Sequence, residues 1–348
     1  MQKVKILFLC AASGIISIWG LYAYSKKVNN TPNGFIRLLP PHIATPHQIL
    51  NVGANSWYIA GDDNEHFFLG NVTAPGYIMQ VGSALKDTNI NMLSISPVGQ
   101  KIYKSAKLYV DAAGTYLFDG IGRQMFYDTL KRKHLEQRLM NAYFTSAVPV
   151  SKGTLILRAV DKKLKQHILL KYTADSIALN KNVLQKQVDG IFCTDGILQY
   201  DRVNAAIVYL YYYRNQFVRL DTNLNVLSIG KTIDTVSHVK LSVGSIASQQ
   251  EVTMSAPPVV VNKASCISNG LLYVYSALKA NNEDEQMFSE SSDIDVYNVK
   301  SGKYLYSFFI HDIDHKKIRD FRVMGKWLLA LNGNYISVHE LRLPANMQ

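Results

Sequence analysis

Residues 190–223 read GIFCTDGILQYDRVNAAIVYLYYYRNQFVRLDTN. A short apolar stretch, Gly190-Ile191-Phe192-Cys193, meets a tight-turn pair, Asp195-Gly196. A β-prone run from Ala206 to Tyr212 follows, and Arg214-Asn215-Gln216 turns it into Phe217 to Leu220 before Thr222-Asn223 turns the chain again. Branched and aromatic residues cut at short intervals by turn formers make an antiparallel meander, not a helix. The scheme returns along the chain, with apolar stretches ending near Val81, Tyr127, Tyr172, Leu220, Tyr297 and Val338. The steps between them are about 46, 45, 48, 77 and 41 residues, the spacing of four-stranded propeller blades. The expected fold is therefore all-β, a six-bladed β-propeller with one N-terminal transmembrane helix.

Working outward, the motif predicts strands at Trp57 to Ala60, Phe67 to Leu69 and Tyr77 to Met79 in the first blade. Lys107 to Val110, Thr115 to Asp119 and Gln124 to Tyr127 form the second, and Leu130 to Ala142, which lacks strand alternation, reads as a short helical turn. The third takes Thr154 to Ala159, His167 to Tyr172 and an outer strand around Asn182 to Gln187. Ala264 to Ile267, Leu271 to Ala277, Ile294 to Tyr297 and Tyr304 to Ile310 make the fifth, and Phe321 to Met324, Trp327 to Leu331 and Tyr335 to Glu340 the sixth. Phe35 to Leu39 is expected to pair with the last blade and close the ring, because an open edge invites association. Two insertions, Asp234 to Lys263 and Ala280 to Asp293, interrupt the period, and long loops are where function concentrates.

With 348 residues, 48% of them hydrophobic, the chain has ample apolar surface for one large β-domain. From Ile6 to Tyr24 runs ILFLCAASGIISIWGLYAY, uncharged and about 19 residues long, enough for a membrane-crossing helix. Lys3 and Lys5 precede it. Two readings stay open: an uncleaved anchor, which the length favours, and a signal peptide cleaved after a small-residue pattern at Ala23-Tyr24-Ser25. The organisation reads as residues 1–25 anchor or signal, 26–34 linker, 35–343 propeller and 344–348 tail. The net charge of +11 falls to +7 without Lys3, Lys5, Lys26 and Lys27. The remaining basic residues are dispersed, with Lys131-Arg132-Lys133 the one short cluster, so no nucleic-acid partner is expected.

At these residues the chain resembles the membrane-anchored six-bladed propeller proteins of Gram-negative bacterial envelopes, including the NHL-like and TolB-like groups. The resemblance spans Phe35 to Leu341, and the stretches Asp189 to Gly196 and Tyr211 to Asn215 look like those of one subgroup. It implies an inner-membrane, single-pass protein with its propeller in the periplasm, or secretion to the periplasm if the signal is cleaved. It also implies an envelope or membrane protein partner, with a thiol-redox membrane component as one such partner.

The candidate chemistry is sparse. Asp189, Asp195, Asp234 and Asn262 are acids and an amide that inner strands can gather at a channel, as calcium-dependent propeller lactonases do, and Lys263 adjoins them. Turn or capping duty is the alternative for each, Asp195 beside Gly196 above all. Tyr212 and Arg214 combine the residue types that anchor interfaces, although blade packing also explains such tyrosine stripes. His311, Asp312, Asp314 and His315 carry metal-ligand chemistry, but strand alternation would split the imidazoles from the carboxylates. No nucleophile elbow or phosphate loop is present. The expectation is a non-enzymatic binding or scaffolding module without a required cofactor. The alternatives are a metal-dependent propeller hydrolase or lyase and a periplasmic small-ligand sensor. Cys193 and Cys266 fall at offset positions before their turns and are expected to remain separate buried thiols.

Overall fold

The protein is described by a computed structural model, which covers residues 2–29, 33–128, 134–241, 243–246, 251–254, 257–342 and 344. The cluster Lys131-Arg132-Lys133 and nearly all of the 344–348 tail lie outside the described residues. The chain opens with α1 (Gln2–Asn29), which covers the apolar run. Ile6, Phe8, Leu9, Ile16 and Trp19 on it are all at least 60% exposed, so among the described residues nothing covers them. Among the described residues, no helix is long and apolar enough to cross a membrane.

The remainder is built of antiparallel meanders. In chain order, β1 (Ala44–Asn51) comes first and does not pair with its sequence neighbours. Next come β2 (Trp57–Asp62), β3 (His66–Asn71), β4 (Tyr77–Gly82) and β5 (Thr88–Met92), then the short β6 (Ser94–Ser96). The second meander is β7 (Lys107–Asp111), β8 (Gly114–Asp119), β9 (Gln124–Asp128) and β10 (His134–Leu139), with β6 parallel on its outer edge. The third holds β11 (Ser146–Ser151), β12 (Thr154–Asp161), β13 (Gln166–Tyr172) and β14 (Ile177–Asn180). The fourth holds β15 (Gly196–Asp201), β16 (Ala206–Tyr211), β17 (Phe217–Leu220) and β18 (Val226–Gly230). After a hairpin of β19 (Val243–Ile246) and β20 (Glu251–Met254) come β21 (Asn262–Ser268) and β22 (Leu271–Ser276). The short α2 (Glu285–Glu290) intervenes, and β23 (Ser291–Asn298) and β24 (Tyr304–His311) complete that sheet. The last sheet takes β25 (Asp320–Met324), β26 (Trp327–Asn332) and β27 (Tyr335–Leu341), and its fourth strand is β1.

The meanders face one another in sequence, the first two bridged at Gly61–Val110 into one nine-stranded sheet. β25 neighbours β2, β2 neighbours β7, β11 neighbours β15, β15 neighbours β21 and β21 neighbours β25. Gly61 makes one of these approaches possible: at φ 141°, a Cβ there would sit 1.9 Å from the Val110 carbonyl oxygen, so only glycine lets β2 reach β7. The core is correspondingly divided into layers between consecutive sheets. Tyr209 and Tyr211 of β16, both 0% exposed, meet Ile156 and Leu169 of the preceding sheet. Trp57, Phe67 and Leu69 of the first sheet pack on Leu329, Leu331 and Ile336 of the last. Strand alternation produces this, because each sheet must bury both faces against its neighbours.

Several expectations are corrected. The strand that closes the last sheet is β1, paired antiparallel with β27 from Ala44–Leu341 to Asn51–Tyr335, and not Phe35 to Leu39. The latter segment runs along the fifth sheet without strand pairing. Its Arg37 is 3% exposed and donates from Nε to Asp295 at 2.7 Å and from Nη1 to Glu283 at 2.6 Å, and that ionic lock outcompetes a ladder. Residues 134–139 of the expected helical turn are the strand β10, held between β9 and β6, and only Leu135 of it is buried, so the apolar alternation that marks a strand is missing. Gly190 to Cys193 is a turn segment before β15, where the Asp189 carboxylate accepts N–H groups from Ile191, Phe192 and Cys193. The third outer strand is Ile177–Asn180, earlier than expected. Cys193 and Cys266 are both buried and free.

Candidate functional site

The two ends of the inner strands differ in chemistry. Where they finish, the first meander's Asp62 takes a hydrogen bond from Arg322 Nε at 2.7 Å, and Asp111 is ion-paired with Arg202. Tyr109 lies among these four charges, beside a polar cavity of only about 140 Å³. Cations and acids there satisfy each other, so this end is a structural closure.

Where the inner strands begin, Arg158 and Asp195 pair with each other, but one lysine does not pair. A cavity of about 450 Å³ opens between β7 and β11, walled by Phe118, Phe144, Val148 and Leu198 and by the rings of Tyr58 and Tyr109. Its volume is that of a small-molecule site, and its lining is the usual mix of apolar walls with few polar groups. Among the described residues, Lys107 is the one charged residue of the lining. Its Nζ lies 4.2 Å from the Tyr58 ring centroid, and among the described residues it makes no ion pair. Burial pulls its pKa below the usual lysine value, while Asp320 pulls the other way. The Tyr58 oxygen accepts the Leu108 N–H at 2.6 Å, which leaves its own proton unused by that bond. Burial raises the Tyr58 pKa, so the phenol stays protonated.

At the first residue of β25, Asp320 takes the Ile59 N–H at 3.2 Å and the Phe321 N–H at 2.9 Å. Burial outweighs those two bonds and lifts its pKa to about 6. Tyr212, whose pKa burial raises to about 12, lies within the fields of Asp195, Arg158 and Asp320. Arg158 bridges Asp195 and donates to the Gly196 carbonyl at 2.7 Å, pinning the start of β15.

Of the residues singled out from sequence, Asp195, Tyr212 and Lys263 reach this end of the inner strands. Asp195 and Tyr212 are joined through the Tyr212 N–H and the Asp195 carbonyl at 3.1 Å. Lys263 leans on Tyr275, its Nζ 4.8 Å from the ring centroid and 3.2 Å from the hydroxyl. The others serve the fold. Asp189 caps its turn, and Asp234 accepts from Thr232 Oγ1 at 2.5 Å and the Val236 N–H at 2.9 Å. Asn262, 1% exposed, donates to the carbonyls of Tyr211 and Arg214. Arg214 is also 1% exposed, stacked 3.6 Å from the Tyr211 ring centroid and donating to the Gln185 carbonyl, so its guanidinium is not on a docking surface. His311, Asp314 and His315 are exposed, and Asp312 sits 4.0 Å from Lys317. Among the described residues, no group of three or more His, Cys, Asp or Glu stands close enough to hold a metal ion.

Lys107, Tyr58 and Asp320 escaped the sequence reading. Their signal is the alternation itself: Lys107, Tyr109 and Asp111 share one face of β7, opposite the buried Leu108 and Val110. Hydroxyl–imidazole contacts occur at His339 Nε2 with Ser337 Oγ at 3.0 Å, His134 Nδ1 with Ser94 Oγ at 3.1 Å and His167 Nδ1 with Thr194 Oγ1 at 3.2 Å. The Thr194 hydroxyl donates to the Gly190 carbonyl and is fully buried, so that last pair is a packing link.

No family model matches the chain, and no curated protein does. Among solved structures, it is similar to a DUF4221-family member from Bacteroides vulgatus at 8% identity, covering 90% of this chain and 99% of that one, with a TM-score of 0.50. A Bacteroides fragilis protein named as exported matches at 10% identity over 89% and 95% of the two chains, TM-score 0.49. Virginiamycin B lyase from Staphylococcus aureus matches at 10% identity over 85% and 99%, TM-score 0.48. At such identities the likeness is one of fold alone, and this chain has an all-β, propeller-like fold.

Proposed function

We propose that the chain is a non-enzymatic binding module of the bacterial cell envelope: a closed six-bladed propeller tethered to the inner membrane by α1 and facing the periplasm. The six-bladed reading rests on six successive meanders and on the core layer that joins the last sheet to the first. The tether reading rests on the sequence, the uncharged run Ile6 to Tyr24 with its exposed apolar side chains, since among the described residues no helix is long and apolar enough to cross a membrane. Lys3 and Lys5 precede the run, as cytoplasmic flanks do.

The single observation that carries the binding reading is the cleft between β7 and β11, with an unpaired lysine at its mouth. The opposite end spends its charges on Asp62–Arg322 and Asp111–Arg202, so recognition belongs to the end where the inner strands begin. A protein partner docked at this end of the inner strands would lie over Asp195, half-buried Tyr212 and the cleft.

A photo-cross-linking amino acid placed at Tyr212, in the full chain in intact envelopes, tests this. The expected result is a discrete adduct from Tyr212 and none from Leu227, an exposed residue on the outer strand β18. Equal adducts from both positions, or adducts from Leu227 alone, would overturn the reading. Carbonate extraction of the same membranes is expected to leave the chain in the pellet, and release into the supernatant would remove the tether.

A further inference from the structure

Resting on that reading of the cleft as the binding site, we propose that it takes a single carboxylate carried on an apolar body. The carboxylate sits between Lys107 Nζ and the Tyr58 hydroxyl, and the apolar body lies along Phe118, Phe144 and Leu198. The walls supply apolar area, and among the described residues no Asp or Glu lines the cavity. Among those residues Lys107 is its only charge, lacks an ion pair and is partly desolvated, so an incoming anion replaces solvent the ammonium has already partly lost. Tyr58 adds a second donor. Its ring is fixed under Lys107, its oxygen lies over Gly70 and is held by the Leu108 N–H, and among the described residues its own proton has no acceptor.

The charge count sets the ligand's charge. One lysine matches one negative charge, and Asp320, whose field reaches Lys107, disfavours a dianion such as a phosphate monoester. A cavity of about 450 Å³ accommodates a body of small-molecule size. Two sources share this chemistry: a free aromatic or aliphatic acid, and the C-terminal carboxylate of an apolar peptide.

Calorimetry on the full chain in lipid nanodiscs separates these outcomes. The probes are 4-phenylbutanoate and its amide, and N-acetyl-Leu-Phe with a free or an amidated C-terminus. At least one carboxylate is expected to bind at least tenfold tighter than its amide, and whichever series does so names the source. Lys107→Met is expected to abolish that tenfold preference while leaving the amide unchanged, and Lys107→Arg to keep most of it. Thermal midpoints within a few degrees of wild type show that the variants remain folded. Equal binding of acid and amide, or a preference that survives Lys107→Met, overturns the carboxylate inference. The binding module itself still stands in that case if Tyr212 cross-links. No binding by any probe also overturns the inference, and cross-linking again decides the module separately.

Discussion

Arg37→Met is the most informative perturbation of the fold. The guanidinium is 3% exposed and answers three carboxylates: Asp295 at 2.7 Å, Glu283 at 2.6 Å and Asp293 at 3.5 Å. Removing it leaves buried acids without their cation, a change that typically costs about 3–5 kcal/mol. Two of the acids keep other partners, since Asp295 still accepts from Ser307 Oγ at 2.6 Å and Glu283 from the Ala280 N–H at 2.6 Å. Asp293 has less, because its Oδ2 accepts no hydrogen bond. The expected loss at pH 8 is therefore near the low end, about 3 kcal/mol. The pH dependence follows from Asp293, whose pKa burial raises to about 7 against the pull of Arg37. Without Arg37 that pKa rises further. A carboxyl with a folded pKa above its unfolded value binds more protons when folded, so it stabilises at low pH and loses that contribution as pH rises through the folded pKa. The deficit of Arg37→Met should thus be smaller at pH 5.5 than at pH 8. Urea unfolding in detergent micelles, followed by the emission of Trp57 and Trp327, measures it at both pH values. A loss under about 1 kcal/mol, the range of an exposed ion pair, or a deficit independent of pH, would refute the reasoning.

Four further outcomes are expected. Thr45→Cys with Glu340→Cys, in a chain with Cys10→Ala, should form a disulfide under mild oxidation, because the two residues are direct partners across β1 and β27. Closing so long a loop should raise stability by up to about 5 kcal/mol, and a failure to form on non-reducing gels argues against closure by β1. Gly61→Ala should prevent accumulation of folded protein, since its Cβ meets the Val110 carbonyl at 1.9 Å. Gly53→Ala, with nothing within 4 Å, should cost only about 1 kcal/mol by thermal denaturation. His339, 5% exposed, has its pKa lowered to about 4 by burial and by His311, so the unfolded chain takes up its proton first as pH falls from 6.5 towards 4. That loss, at most about 3 kcal/mol, should be missing from His339→Gln when the two unfolding free energies are compared at pH 7.5 and 5. Titration of the unreduced, denatured chain should find Cys193 and Cys266 as thiols, while the native protein protects both from reagent.

The sequence carried the meander clearly wherever alternation and turn chemistry agreed. β22, β24, β26 and β27 stand within a residue or two of where Tyr, Ile and Leu alternation places them. Strands far from the inner ones were harder to read, because β10 buries only Leu135 and β14 buries nothing, so both lose the apolar period. The closing strand was misplaced for a related reason. Ala44–Asn51 contains Thr45, Pro46, His47 and Gln48 and looks like a loop, whereas Phe35 to Leu39 looks like a strand but is held by Arg37. The acids picked from sequence were mostly turn and cap acids, a duty that local hydrogen bonds assign and residue type does not. Lys107 and Asp320 became meaningful only once β7, β11 and β25 were brought to one end, a long-range juxtaposition that no local motif encodes.

The most direct measurement of the central claim is a structure of the full chain in a lipid nanodisc, bound to whatever Tyr212 captures. The account predicts six four-stranded sheets in a closed ring, and bound density in the cleft between Lys107–Asp111 and Ser146–Ser151 within hydrogen-bonding distance of Lys107 Nζ. A partner seated on the outer strands with the cleft unfilled, or a ring left open between the first and last sheets, would contradict it.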